Sequence, residues 1–220
     1  MAIRTAFKTE MLAMDDHAMA MADLAGGAIQ RAVEALEAHD LDAARAVIAD
    51  DERINQLWIR VERETMEIIA RQQPMASDLR EILAVSAIAT DLERIGDHAK
   101  SVSRAVLALD RAPDPDLLVN ILRMAELMRS LLAAEMAAFA HRDAEAARVV
   151  AARDNEIDDL YSGIYHSLIA AMMSRGPQAI QDISRLLWVA KSIERAGDHV
   201  TNIGERIVFL VTGELTELNG

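Results

Sequence analysis

With 220 residues the chain has room for one large domain or two small ones, and its 52% hydrophobic but only 3% aromatic content calls for an interior of Ala, Leu, Ile, Met and Val, which suits packed helices and not a β-sandwich. Nine Gly and four Pro are too few to punctuate a many-stranded chain, and zero Cys excludes disulfides, thiolate metal sites and thiol catalysis. A net charge of −13 disfavours nucleic acid and anionic bilayers and favours cationic ligands or basic partner surfaces.

The N-terminal stretch has no apolar run before Lys8, Glu10, Asp15 and Asp16, so it reads as an amphipathic helix and not as a signal peptide. That helix is predicted over about 3–38. Met11, Met14, Met19 and Met21 read as adaptable core filler. Gly26-Gly27, each costing about 1 kcal/mol relative to Ala inside a helix, points to a close helix crossing or a bend. His39-Asp40 is a soft break whose Asp can start a second helix, about 41–72, which carries Asp51 and Asn55. Gln72-Gln73-Pro74 ends it. A third helix, about 75–110, shows apolar spacing of three and four at Ile82, Val85, Ala89 and Leu92, and carries Glu93-Arg94-x-Gly96-Asp97-His98.

Ala112-Pro113-Asp114-Pro115 divides the chain. Helices over about 115–140, 143–174 and 178–213 follow, separated by His141-Arg142-Asp143 and Arg175-Gly176-Pro177, with all ends set to within ~2–4 residues. The second set repeats the first. Ala38-His39 recurs as Ala140-His141, and Asp51-x-x-Ile54-Asn55-x-Leu57 as Asp154-x-x-Ile157-Asp158-x-Leu160. Glu93-Arg94-x-Gly96-Asp97-His98 recurs as Glu194-Arg195-x-Gly197-Asp198-His199. The expected fold is all-α, two tandem pseudo-symmetric three-helix bundles of antiparallel helices, with repeats at 1–111 and 112–220. No apolar run is long enough to span a bilayer, so a soluble chain is expected.

Glu93 and Asp97 lie on one helix face, ~40° apart, as do Glu194 and Asp198. Like charges at this spacing destabilise a helix unless something offsets them. Asp154 with Asp158, and Asp51 with Asn55, are placed to face these pairs across a helix hairpin. Four oxygen-bearing side chains from two helices suit Mg, Mn, Fe or Zn. Asn202 and Glu205 extend the second face, Glu205 returning to within ~20° of Glu194. Their counterparts, Ser101 and Arg104, are poorer ligands, so the second repeat is the stronger candidate. His98 and His199 project ~140° from the preceding Glu, which turns them toward a surface or interface role. Arg94 and Arg195 read as flanking salt-bridge partners, and Gly96 and Gly197 as places where a helix or ligand comes close. The chain has no Gly-x-Ser-x-Gly, no Gly-x-x-x-x-Gly-Lys, no His-Glu-x-x-His and no Glu-x-x-His. A carboxylate-bridged metalloenzyme and a metal-free scaffold with a solvated acidic face remain as alternatives.

The runs Arg71-Gln72-Gln73-Pro74-Met75-Ala76-Ser77-Asp78-Leu79-Arg80, Leu92-Glu93-Arg94-Ile95-Gly96-Asp97 and Ser192-Ile193-Glu194-Arg195-Ala196-Gly197-Asp198 resemble the PhoU family of phosphate-transport regulators, and the resemblance runs from Phe7 to about Gly213. It implies a cytoplasmic, often dimeric, non-enzymatic protein that acts negatively in phosphate-starvation signalling. The partners it implies are the ATPase subunit of the phosphate ABC transporter and a sensor histidine kinase, with no nucleic acid and no membrane insertion. It also implies metal ions, iron or zinc first and magnesium or manganese otherwise. By position, its Glu/Asp-x-x-x-Asp motif falls on Glu93 and Asp97 and on Glu194 and Asp198, with the preceding helix contributing Asp154 and Asp158, and Asp51 with Asn55. Asn55 departs from a strict acidic pair.

Overall fold

The computed structural model describes residues 2–218, with side chains from Phe7 onward; Met1, Asn219 and Gly220, the outer ends of the two expected repeats, lie outside the described residues. Aspartates start three of the helices. Asp40 accepts the backbone N–H groups of Asp42 and Ala43, Asp143 those of Glu145 and Ala146, and Asp114 that of Asp116, with Pro115 in the first helical turn. Each satisfies donors that a helix start leaves open. Among the described residues the α-helices are α1 (Ala2–Ala38), α2 (Leu41–Gln72), α3 (Ser77–Ala108), α4 (Pro115–His141), α5 (Ala144–Ala151), α6 (Asp154–Arg175) and α7 (Ile180–Thr212), with a 3-10 turn at Pro177–Ala179.

The duplication is visible in the turns. Asp40 N donates to Ala35 O at 2.9 Å and Asp143 N to Ala138 O at 3.0 Å, closing the ends of α1 and α4 with the same six-residue loop. His39 and Arg142 take left-handed backbone there, at φ 51° and 54°.

One helix differs from expectation. The segment predicted as continuous over 143–174 is broken into α5 and α6 at Ala152-Arg153. Its ladder tightens locally: Arg153 N donates to Val150 O and Glu156 N to Arg153 O, each three residues back, while the Arg153 guanidinium grips Glu156 at 2.7 Å. In the first repeat the matching stretch of α2 is unbroken.

α1, α2 and α3 form one trio, and α4, α5–α6 and α7 the other. The trios lie side by side, α3 packed along α7 and α1 against α4, so the buried apolar side chains form one cluster that crosses the divide. Met11, Met14 and Met21 are buried in it. Gly26 marks a helix crossing and not a bend: α1 continues through it, Leu132 of α4 packs over it, and Arg129 Nε donates to its carbonyl at 3.2 Å.

Candidate functional site

Two glycines bring each pair of acidic helices together. A Cβ on Gly96 of α3 would stand 2.8 Å from Ile54 Cδ1 and 3.6 Å from Asp51 Oδ1. On Gly197 of α7 it would stand 2.7 Å from Ile157 Cδ1 and 3.7 Å from Asp154 Oδ1. Without side chains there, the Asp and Ile of the preceding helix seat directly against the Glu-x-x-x-Asp segment. The same contact is built twice.

Its contents differ. In the first repeat Asp51 is only 5% exposed. The Lys100 ammonium pairs with Asp51 Oδ2 and lies 3.7 Å from Asp97 Oδ1. The hydrogen bond to Asp51 raises the proton affinity of Lys100 and keeps it charged. Asn55 donates its amide to Asp51 at 3.5 Å, so in this arrangement it acts as a donor and not as a ligand. Glu93 is raised above the ordinary carboxylate range by burial and by Asp97, with Arg94 opposing at 3.5 Å. A lysine thus fills the space where a cation would balance these carboxylates.

In the second repeat Thr201 stands in the place of Lys100. Its hydroxyl hydrogen-bonds Asp154, which burial and the neighbouring Asp158 and Asp198 nonetheless push upward. Asp198 is raised by burial, with Lys191 opposing. Lys191 reaches in from the flank, 2.6 Å from the Glu194 carboxylate and 5.2 Å from the Tyr161 ring centre. Asp154, Asp158, Glu194 and Asp198 therefore set four carboxylates against Lys191, where the first repeat sets three against Lys100. Among the described residues no three His, Asp or Glu side chains converge closely enough to hold an ion as they stand.

Two expected ligands are turned elsewhere. Asn202 donates to Asp91 of α3 at 3.3 Å, and Glu205 accepts the backbone N–H of Leu218 at 2.9 Å. The residues that sequence reasoning missed are Lys100 and Lys191. The repeat comparison held the signal, since it aligns Lys100 with Thr201 and Thr90 with Lys191.

His98 and His199 meet where the trios join, with ring centres 5.6 Å apart. Equivalent residues touch each other only on a symmetry axis, so the pseudo-twofold passes between them. His199 Nδ1 lies 2.9 Å from Asp91 Oδ1. Burial pushes His98 down to about 4, with His199 and Arg195 adding to the effect. The interface expected for these rings is the one between the repeats.

A PhoU domain model matches residues 18–106 and again residues 121–207. The chain is 32% identical over 217 residues to a Clostridium acetobutylicum protein named phosphate-specific transport system accessory protein PhoU homolog, covering 98% of this chain and 99% of that one. It is 39% identical over 195 residues to a Caulobacter vibrioides protein of the same name, covering 88% and 84%. Crystal structures of the phosphate transport system regulatory protein PhoU from Streptococcus pneumoniae (TM-score 0.88, 30% identity, 96% of this chain and 99% of that one) and of PhoU from Pseudomonas aeruginosa (0.89, 35%, 94% and 100%) share its fold.

Proposed function

This chain belongs to the PhoU family, and on that footing we propose that it restrains phosphate uptake and phosphate-starvation signalling from the cytoplasmic side. It would do so by binding the ATPase subunit of a phosphate ABC transporter and a phosphate-sensing histidine kinase. The observation that carries this reading is the double family match, one in each helix trio, joined to relatives named for the phosphate transport system over nearly their whole length. The repeats at 1–111 and 112–220 would be the working units.

Among the described residues no helix is long and apolar enough to cross a membrane. Contact with membrane-bound partners then falls to the surface. Trp188 of α7 is 63% exposed, and Tyr165 of α6 is exposed as well. Exposed aromatic side chains of this kind are the usual anchors of protein interfaces. Deleting the gene tests the role. Phosphate uptake and alkaline phosphatase expression in phosphate-rich medium should both rise; unchanged levels would refute it.

The reading extends to a metal. The first repeat is the weaker candidate, because Lys100 stands among its three carboxylates, whereas in the second Lys191 pairs with Glu194 from the flank and four carboxylates are present. The second fits by donor chemistry: four carboxylates on two facing helices suit iron or zinc, or magnesium or manganese. Binding there requires these side chains to draw together, since among the described residues no three converge closely enough as they stand. A bound cation would supply charge neutralisation and tie α6 to α7. Adding metal to the stripped protein should raise the melting temperature of the wild type by several degrees and leave Glu194→Ala unmoved. Equal behaviour of the two would end the idea.

A further inference from the structure

Beside the paired histidines lies a cavity of about 450 Å³ lined by Arg94, Arg104, Arg195, Ser101, Asp97 and the two rings. It reverses the sign of a molecule whose net charge is −13. Its cations are unequally occupied. Arg94 is held by Glu93 at 3.5 Å and Asp97 at 3.3 Å, whereas Arg104 and Arg195 are exposed and make no ion pair or hydrogen bond among the described residues. Arg195 acts at longer range on both Asp198 and His98.

Arg94 and Arg195 are equivalents on either side of the axis, and Arg104 adds a third cation on one side only. The second-repeat counterpart of Arg104 is Glu205, and that of Ser101 is Asn202, which is committed to Asp91. Guanidinium groups recognise phosphate oxygens through paired N–H donors. The volume matches small-molecule sites and gives more room than a single orthophosphate fills.

We propose that this cavity binds a phosphoryl anion larger than orthophosphate, a condensed phosphate or a nucleoside phosphate, held between Arg104 of α3 and Arg195 of α7. The site is separate from the carboxylates of the second repeat and reaches across the junction of the two trios, so its ligand would hold one repeat to the other.

Calorimetric titration of the full chain with tripolyphosphate, ATP, orthophosphate and sulfate tests it. Tripolyphosphate or ATP should bind, with sulfate and orthophosphate roughly tenfold weaker or worse, and affinity should fall roughly tenfold or more in Arg104→Ala and in Arg195→Ala. Arg60→Ala, a surface change elsewhere, should bind as the wild type does. ATP binding as tight as tripolyphosphate or tighter assigns a nucleoside phosphate, and tripolyphosphate binding alone assigns a condensed one. No binding by either ligand, unchanged binding in Arg104→Ala and Arg195→Ala, or sulfate binding as tightly as tripolyphosphate would overturn the proposal.

Discussion

Glu135 stands in the apolar stripe of α4, between Leu131 and Leu132 on one side and Ala138 and Phe139 on the other, and is fully buried. Neither carboxyl oxygen has a hydrogen-bond partner, and burial pushes the group up to about 8. It lies against bare backbone: a Cβ on Gly204 of α7 would be 2.5 Å from its Oε1. The folded state therefore holds this proton more tightly than the unfolded chain does. Stability is lost as pH rises from the ordinary carboxylate range through about 8, and the loss then levels off. Asp15, raised to about 6 by burial, contributes in the same direction. Urea unfolding at pH 5 and pH 8 should show the wild type weakening. Glu135→Met should be more stable by roughly 1–4 kcal/mol and visibly flatter in pH. Identical pH slopes would mean that Glu135 is not held neutral by burial. Sequence reasoning passed over Glu135, whose missing partners depend on what α7 places opposite.

At the scale of the element, the glycine contacts set how closely each helix pair packs. Gly197→Ala gains about 1 kcal/mol of helix propensity but drives a methyl into Ile157, so a net loss of roughly 0.5–2 kcal/mol is expected. Ile157→Val removes the Cδ1 in the way, and the double variant should recover most of the loss; additive losses in denaturant melts would count against the contact. The helices themselves were readable because Pro74, Pro113 and Gly176-Pro177 stop them and Asp40, Asp114-Pro115 and Asp143 start them. The break at Ala152-Arg153 carries neither Gly nor Pro, and only the tightened backbone bonds reveal it. Asn202 and Glu205 fall on the right face of α7 by projection. A single helix wheel does not contain Asp91 or the Leu218 N–H, which capture them.

Across the whole molecule, the α3–α7 seam makes one core of two similar halves. A fragment of residues 1–111 would leave the α7-facing side of α3 in water, so gel filtration should show dimers or aggregates and no folded monomer. A monomeric fragment with a cooperative melt would show that the seam is dispensable. The sequence comparison makes the duplication plain but says little about this seam, because repeats reveal likeness and not mutual contact. The meeting of His98 and His199 carries a further consequence. In two separate identical subunits, a residue on the axis faces its own twin and both must share one chemical character. Fusion lifts that restriction. Asp91 gives His199 a carboxylate, while the matching position in the second repeat is Ser192, whose hydroxyl is turned to the Trp188 carbonyl. The twin rings have therefore become unlike neighbours, one set against a carboxylate and the other without one, a division open to a single chain and closed to a symmetric pair.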